Sequence, residues 1–237
     1  MKLSIDSGIL RDFPCARIGW LTADVLVRGT DEYIERLKSS LADRLRDIGI
    51  SADTMMLHPD ISRWREVYGK MGVKPSKYRS SLESLLRRIF KGDIWSVSSV
   101  VDCYDCVSAL SLTPMGAYDT ARLKGSLTLR YGAEGEKFYP LGAKDEPVCV
   151  SARNVVYADD EKVCCWLWNY RDTKEASVSS ATRRAIFIAD NAFEPQWRTV
   201  EQALDMLKEE LEKTGCSVAE IGVVDAACPV SEVFIDE

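Results

Sequence analysis

The segment that decides the fold of this 237-residue chain runs from Ser98 to Gly142 and reads SSVVDCYDCVSALSLTPMGAYDTARLKGSLTLRYGAEGEKFYPLG. It begins as an apolar stretch carrying two acids and then turns at Pro114. Periodicity leaves the apolar stretch ambiguous between helix and strand, because short apolar runs suit either. Beyond Pro114, alternating residues separated by Gly and Asp clusters predict strands at 126–131, 137–141, 154–158 and 163–170.

Outside that segment, apolar residues recur at three- and four-residue steps. They predict long helices at 30–48, 80–91 and 199–214 and a shorter one at 62–71. The stretch from Cys15 to Val27 reads as a pair of strands, and 218–224 as a final strand. This mixture indicates an α+β fold. We expect one domain over 1–237, with a β-sandwich or distorted-barrel core flanked by the three long helices.

Composition limits the classes of function. The net charge is -6, and 46% of the residues are hydrophobic, so neither a DNA-coating protein nor a membrane partner is expected. Asp6 and Asp12 interrupt the region where a signal peptide would be apolar, which favours a cytoplasmic address. Cys103 and Cys106 have no second cysteine pair at comparable spacing, and His58 is the single histidine. We therefore expect no metal and no cofactor.

Four motifs follow one another without a gap. They are Val100-Val101-Asp102, Pro114-Met115-Gly116-Ala117-Tyr118-Asp119, Gly125 to Arg130, and Glu134-Gly135-Glu136. Together they resemble the editing module of the bacterial phenylalanyl-tRNA synthetase beta subunit over about 68–195. The resemblance implies a buried helix across 100–110, with the N-terminal strand-helix unit and the C-terminal helix packed on this core. The chain lacks the ATP-binding elements of a ligase, so it resembles a stand-alone relative.

In that family the module hydrolyses tRNA that carries tyrosine in place of phenylalanine. The resemblance implies a domain that binds the aminoacylated end of tRNA, with hydrolysis of a mischarged ester in trans as its candidate reaction. Gly116 stands where the family has a histidine, and Arg171-Asp172 stand near the place of the glutamate that recognises the tyrosine hydroxyl. Tyrosine recognition is therefore not carried over. The alternative is a noncatalytic binding module for a free amino acid or another small metabolite.

The remaining polar positions supply a candidate site. Asp105 takes the place of a family asparagine and is the candidate catalytic residue, because a carboxylate there could orient water as a base or pair with an α-amino group. The candidate substrate-binding residues are Ser108, Gly116, Trp168, Asn169, Arg171 and Thr182. Asp105 and Arg171 could equally serve structural ion pairs. Trp166 and Trp168, two apart on a predicted strand, would share one face and could be core residues.

A basic stretch from 61 to 91 supplies a candidate RNA interface. Its candidate phosphate contacts are Arg63, Arg65, Lys74, Lys77 and Arg79, with Trp64, Tyr68 and Tyr78 interleaved. Basic and aromatic side chains together suit a single-stranded RNA end. A solvated helix face is the alternative interpretation. We expect Arg87, Arg88 and Lys91, on the later helix, to face away from the site.

Overall fold

The structure, a computed structural model, describes residues 1–142 and 146–234. The helices are α1 Ser7–Asp12, α2 Glu32–Asp47, α3 Pro59–Ser62, α4 Trp64–Lys70, α5 Ser81–Lys91, α6 Ser99–Ser111 and α7 Val200–Lys213. The strands are β1 Lys2–Ile5, β2 Arg17–Asp24, β3 Met115–Asp119, β4 Leu127–Tyr131, β5 Lys137–Phe138, β6 Val148–Cys149, β7 Val155–Ala158, β8 Val163–Trp166, β9 Arg171–Asp172, β10 Arg184–Asn191, β11 Ser217–Val224 and β12 Val230–Glu232.

The longer strands form two sheets. The larger sheet has the order β12-β1-β4-β7-β8-β9, the smaller has the order β11-β2-β10-β3, and β5 pairs with β6 separately. The pairing of β1 with β4 is parallel, and the other strand pairs within the described residues are antiparallel. The predicted α+β class is therefore confirmed.

Two hydrophobic cores lie on opposite faces of the smaller sheet. Along β2, Ile18 and Trp20 pack in the core between the two sheets, whereas Leu21 and Ala23 pack in the core under the helices. Residues of a strand point to alternate faces, so an apolar strand can supply both cores at once. The result is a helix layer, a four-stranded sheet and a six-stranded sheet, in that order. The predicted sandwich core is thus the inter-sheet layer.

The three long helices begin and end where their capping residues lie. Asp31 accepts hydrogen bonds from the backbone of Tyr33 and Ile34 at the start of α2, and Ser80 accepts one from Glu83 at the start of α5. Gly92 ends α5 in the left-handed conformation, with φ of 70°. Thr199 opens α7 with a capping box. These side chains satisfy backbone groups that a helix end leaves free.

The resemblance also predicted the ambiguous apolar stretch correctly. It forms α6, which packs against α2 and α7 in the core under the helices. Both cysteines of its C-x-x-C motif are buried on this helix, and burial raises the pKa of the Cys106 thiol. Neither thiol has the exposed, acidic character of a redox centre.

Two predictions about strands are wrong. Cys15–Val27 contains one strand, β2, whose partners β10 and β11 come from distant parts of the chain; it has no turn that could divide it. The strand predicted at 163–170 ends at Trp166, because Leu167 and Trp168 have φ of 56° and 65°. Left-handed conformations cannot continue a strand. Trp166 and Trp168 consequently do not share a face as predicted.

Candidate functional site

A small pocket opens between the two sheets, where β3, β9 and β10 meet the end of β8. We call it the inner pocket; its volume is about 50 Å³. Its main polar and aromatic residues are Gly116, Tyr118, Tyr157, Trp168, Asn169, Asp172 and Asp190.

The irregular end of β8 builds one wall of the inner pocket. After Leu167, the left-handed Trp168 turns its ring into the core, where it packs edge-on against Phe13 and Trp64 at 5.2 and 5.5 Å between centroids. Its Nε1 donates a 3.2 Å hydrogen bond to Oδ1 of Asp190. Two bulky residues in this conformation cost free energy, and such strain concentrates at functional sites. Here it places Trp168 and the following Asn169 against the pocket.

Two carboxylic acids face the inner pocket from different sheets. Burial raises the pKa of Asp172 to about 6, although hydrogen bonds from Cys165 and from Tyr118, whose hydroxyl lies 3.3 Å away, favour its ionised form. Burial also raises the pKa of Asp190 to about 7, and the charge of Asp172 adds to that rise. Both acids therefore change protonation near neutral pH. No ion pair within the described residues includes either one.

Two polar groups at the pocket lack hydrogen bonds from the described residues. The amide nitrogen of Asn169 forms no hydrogen bond of acceptable geometry, although it lies close enough to Asp190 to lower the pKa of that acid. The oxygen of the same amide accepts a 3.1 Å bond from Tyr68. The buried hydroxyl oxygen of Ser81 is also without a partner. Buried polar groups are nearly always satisfied, so such groups beside a cavity indicate a place for a ligand or water.

Gly116 leaves open the space in front of Asp172. It lies in β3 opposite Ile188 of β10. A Cβ atom added there would have Asp172 Oδ2 as its only neighbour within 4 Å, at 3.7 Å. Gly116, which the sequence resemblance aligns with a histidine, is therefore an opening toward a carboxylate in this protein.

A second, larger cavity adjoins the inner pocket. We call it the basic groove; its volume is about 520 Å³. Its cationic residues are Lys77, Arg79, Arg87, Arg88, Lys91 and Arg171. Trp95 also lines it, with the Arg88 guanidinium 4.3 Å from the centre of its ring. Ser81, Met115, Tyr170 and Arg171 line both cavities, so the two spaces share a boundary.

One buried acid organises the cations beside this groove. Glu83, which is 1% exposed, receives two hydrogen bonds from Arg65 at 2.9 and 2.6 Å and one from Arg87 at 2.9 Å. Arg79 lies 3.4 Å from the same carboxylate. Burial alone would raise the pKa of Glu83, but Arg65 and Arg87 hold it below its ordinary value.

Asp105 lies in the basic groove, together with Ser108. Burial raises the pKa of Asp105 to about 7; Arg88 opposes this rise, and the charges of Asp102 and Asp172 add to it. Ser108 uses its hydroxyl to donate a 2.7 Å bond to the Thr113 carbonyl, which makes it part of the wall rather than a free donor.

The structure brings most of the predicted substrate residues together. Gly116, Trp168, Asn169 and Arg171 line the inner pocket. Thr182 does not line either cavity: its hydroxyl donates a 2.7 Å bond to Asp119 at the far end of β3. A threonine that supports a turn before a strand has the same sequence pattern as one that lines a pocket.

The predicted RNA contacts divide into two groups. Lys77 and Arg79 line the basic groove, whereas Arg63, Arg65 and Lys74 do not. Arg63 instead lies over the Phe193 ring at 4.5 Å, and Arg65 binds Glu83.

Arg87, Arg88 and Lys91 line the basic groove, so the expectation that they face away from the site is wrong. Their helix α5 buries its leucines in the core under the helices. The polar residues of α5 therefore border the cavity. Apolar periodicity predicts which face of the helix is buried, but it does not predict what the polar face lies next to.

Sequence reasoning missed Asp190, Tyr157 and Ser81. The signal for Asp190 is an acid inside the otherwise apolar strand RAIFIADN, since a charged residue is rarely buried without a partner. Within the described residues, no group of three or more His, Cys, Asp or Glu side chains could hold a metal ion. In that same part of the chain, no helix is long and apolar enough to cross a membrane.

The chain is similar to a known domain family and to beta subunits of phenylalanyl-tRNA synthetases. A family model described as the B3/4 domain matches residues 63–214. A phenylalanine–tRNA ligase beta subunit from Pseudomonas putida is 26% identical over 111 residues, which cover 47% of this chain and 14% of that subunit. A crystal structure of an N-terminal fragment of the phenylalanyl-tRNA synthetase beta subunit from Pyrococcus horikoshii aligns over 91% of this chain and 49% of the fragment, with 13% identity and a TM-score of 0.47.

Proposed function

Because this chain belongs to the B3/4 domain family, we propose that it binds the aminoacylated 3′ end of a tRNA and hydrolyses the ester of a mischarged one. The observation that carries the proposal is the shared boundary between the basic groove and the inner pocket. Phosphates would occupy the groove, and the aminoacyl group would enter the pocket. A protein acting on tRNA in this way would work in the cytoplasm.

The groove has the chemistry of a single-stranded RNA site. Its six cations face only two acids, Asp93 and Asp105, although the whole chain has a net charge of -6. Trp95 is 56% exposed at the same place, and an exposed indole gives a base a surface for stacking. A local excess of positive charge is what a phosphate chain requires.

Asp105 is the proposed base for hydrolysis. With a pKa of about 7, its carboxylate could take a proton from water as that water attacks the carbonyl carbon of the ester. The bond between that carbon and the ribose oxygen would then break, and the ribose oxygen would receive the proton. The products are the free amino acid and a tRNA with its terminal hydroxyl restored. Orientation supplies much of the acceleration, because the ester is already activated.

The experiment compares tRNA binding and deacylation in variants of the groove. Lys77→Ala and Lys91→Ala should each weaken tRNA binding and reduce the slope of log affinity against log salt by roughly 0.7, the value for one phosphate of a single strand. Lys208→Ala, at an exposed position of α7, is the matched control. If all three variants lose tRNA affinity equally, binding depends on the overall positive charge of the surface and not on the groove.

A second candidate function is a noncatalytic binding module for a free amino acid or small metabolite. The observation that favours it is Gly116, at the place of the family's histidine. A panel of mischarged tRNAs separates the two candidates. If the protein deacylates any of these tRNAs and Asp105→Asn abolishes that activity, the hydrolase is supported. If no tRNA is deacylated and none binds in a salt-sensitive way, the binding module is the remaining candidate.

A further inference from the structure

We propose that the inner pocket recognises the free ammonium group of a small aminoacyl moiety, with a side chain no larger than that of serine. This inference rests on the proposed function for its tRNA context, but the recognition itself can be tested without tRNA. It assigns to Asp172 and Asp190 the binding of the ammonium. The proposed substrates are therefore tRNA esters of glycine, alanine or serine and not those of aromatic amino acids.

Size is the first argument. The inner pocket has a volume of about 50 Å³, whereas a cavity of about 150 Å³ is known to take up benzene. An α-carbon with its ammonium and a methyl or hydroxymethyl group is smaller than a ring. The pocket cannot widen easily at Trp168, because Phe13 and Trp64 pack edge-on against that ring in the core.

Charge is the second argument. Asp172 and Asp190 line one small space, and no ion pair in the described part of the chain includes either of them. Two carboxylates that form no ion pair are costly to ionise in a buried place. A primary ammonium supplies a positive charge that can pair with both, and it carries three donors for the carboxylate oxygens.

A partly unsatisfied amide is the third argument. Asn169 is 7% exposed and lines the same pocket, and its amide nitrogen lies close enough to Asp190 to lower the pKa of that acid, yet it forms no hydrogen bond of acceptable geometry with the described residues. An amide nitrogen donates, so it suits the carbonyl oxygen of an aminoacyl ester. A ligand with an ammonium next to a carbonyl therefore matches both the acids and the amide.

The other ionisable groups around Asp172 also enter its response to pH. They are Asp190 on β10, Cys165 on β8, Tyr118 on β3, Tyr157 on β7, Tyr170 and Arg171 next to it, and Asp105 on α6, whose pKa the charge of Asp172 raises. Burial holds the pKa values of Cys165, Tyr118 and Tyr157 well above their ordinary ranges. The two aspartates are therefore the acids expected to titrate in the pocket between pH 5 and 8.

The first experiment measures binding of three small probes by NMR titration of the whole chain. Alaninamide has the ammonium and the carbonyl, N-acetylalaninamide lacks the charge, and phenylalaninamide has a larger side chain. We expect alaninamide to bind at least tenfold more tightly than either of the others at neutral pH. Its affinity should fall at least tenfold between pH 7.5 and 5, as the carboxylates are protonated. Equal binding of N-acetylalaninamide or phenylalaninamide, or no binding of alaninamide, would overturn the inference.

Two variants locate the probe. Asp172→Asn has nearly the same shape and keeps an oxygen to accept from Tyr118, and it should weaken alaninamide binding at least tenfold. Gly116→Ala places a methyl group 3.7 Å from Asp172 Oδ2, an ordinary contact, and should weaken binding by filling the opening. If Asp172→Asn does not fold, Gly116→Ala alone still tests whether alaninamide binds in the inner pocket. Unchanged affinity in a folded Gly116→Ala protein contradicts the location.

A tRNA experiment separates this inference from the proposed function. The same tRNA body is charged with alanine or with phenylalanine, and both deacylation rates are measured. Preference for the alanyl ester supports both proposals. Equal deacylation of the two esters overturns the size limit and leaves the proposed function intact. If alaninamide binds while neither charged tRNA is bound, tRNA is the wrong partner and the recognition of small amines stands.

Discussion

The hydroxyl of Tyr157 donates a 2.5 Å hydrogen bond to Oδ1 of Asp190, and these residues belong to different sheets. Tyr157 lies on β7 of the six-stranded sheet and Asp190 on β10 of the four-stranded sheet. Trp168 Nε1 donates to the same oxygen. Two donors on one oxygen fix the carboxyl group across the inter-sheet core. The acid that lines the inner pocket is therefore also a link between the two sheets.

The stability of the ligand-free protein should fall as the pH rises from about 4 to 7. The folded pKa of Asp190 is about 7, above the ordinary value of 3.8. Its stabilising contribution is therefore complete below pH 4 and is lost as the pH rises through 7. A shift of this size corresponds to on the order of 4 kcal/mol. Asp190→Asn keeps an oxygen acceptor for Tyr157 and should flatten the dependence of unfolding free energy on pH.

The control for this measurement is Asp24→Asn. Arg184 lowers the pKa of Asp24 through a side-chain hydrogen bond. The stability that ionised Asp24 contributes is therefore lost only as the pH falls below the ordinary pKa of an aspartate. Between pH 5 and 8 the Asp24 variant should keep the slope of the wild type. An Asp190→Asn protein with an unchanged slope would show that the pKa of Asp190 is not raised in the folded protein.

Removing the charge of Glu83 should destabilise the protein more than removing a surface acid. Glu83→Gln would leave Arg65, Arg79 and Arg87 without their shared carboxylate. Breaking a fully buried pair costs about 3–5 kcal/mol. The arginines are partly exposed, so we expect roughly 2–3 kcal/mol by chemical denaturation. Glu66→Gln, at an exposed position of α4, should change stability by less than about 0.5 kcal/mol.

Gly116→His should place an imidazole with a raised pKa at the opening in front of Asp172. The added Cβ meets only Asp172 Oδ2, at 3.7 Å, and a nearby carboxylate favours the imidazolium form. NMR titration can assign the new signal because His58 is the only histidine of the native chain. The double variant Gly116→His with Asp172→Asn should return the pKa toward about 6.5. An unshifted value in the single variant would place the carboxylate elsewhere.

Asp105→Asn separates binding from hydrolysis. The substitution removes one negative charge from the basic groove, so tRNA affinity should stay constant or rise by up to about fivefold, corresponding to about 1 kcal/mol for one partly exposed charge. Deacylation should fall by about 10²-fold or more if Asp105 is the base. Measuring both quantities on the same protein distinguishes the roles. Deacylation that persists at the wild-type rate would exclude Asp105 as the base.

Local sequence patterns determined much of the secondary structure. Ser80, Gly92 and Thr199 lie at helix ends because their side chain or backbone conformation satisfies groups that any helix end leaves free. The apolar period of α2 and α7 likewise sets which face is buried. These choices depend on neighbours within a few residues, and the sequence contains those neighbours directly.

Tertiary structure alone decided what the inner pocket contains. Asp190 and Asp172 are 18 residues apart in the sequence and lie on separate sheets, so no local spacing joins them. Neither Leu167 nor Trp168 is a glycine or an asparagine, the residues that favour the left-handed conformation found at both positions. The strain is compensated by packing of the Trp168 ring against Phe13 and Trp64. The orientation of Arg87, Arg88 and Lys91 depends in the same way on where α5 rests. Contacts between residues distant in the sequence select among local conformations of similar free energy, and the conformations selected in this way form the site.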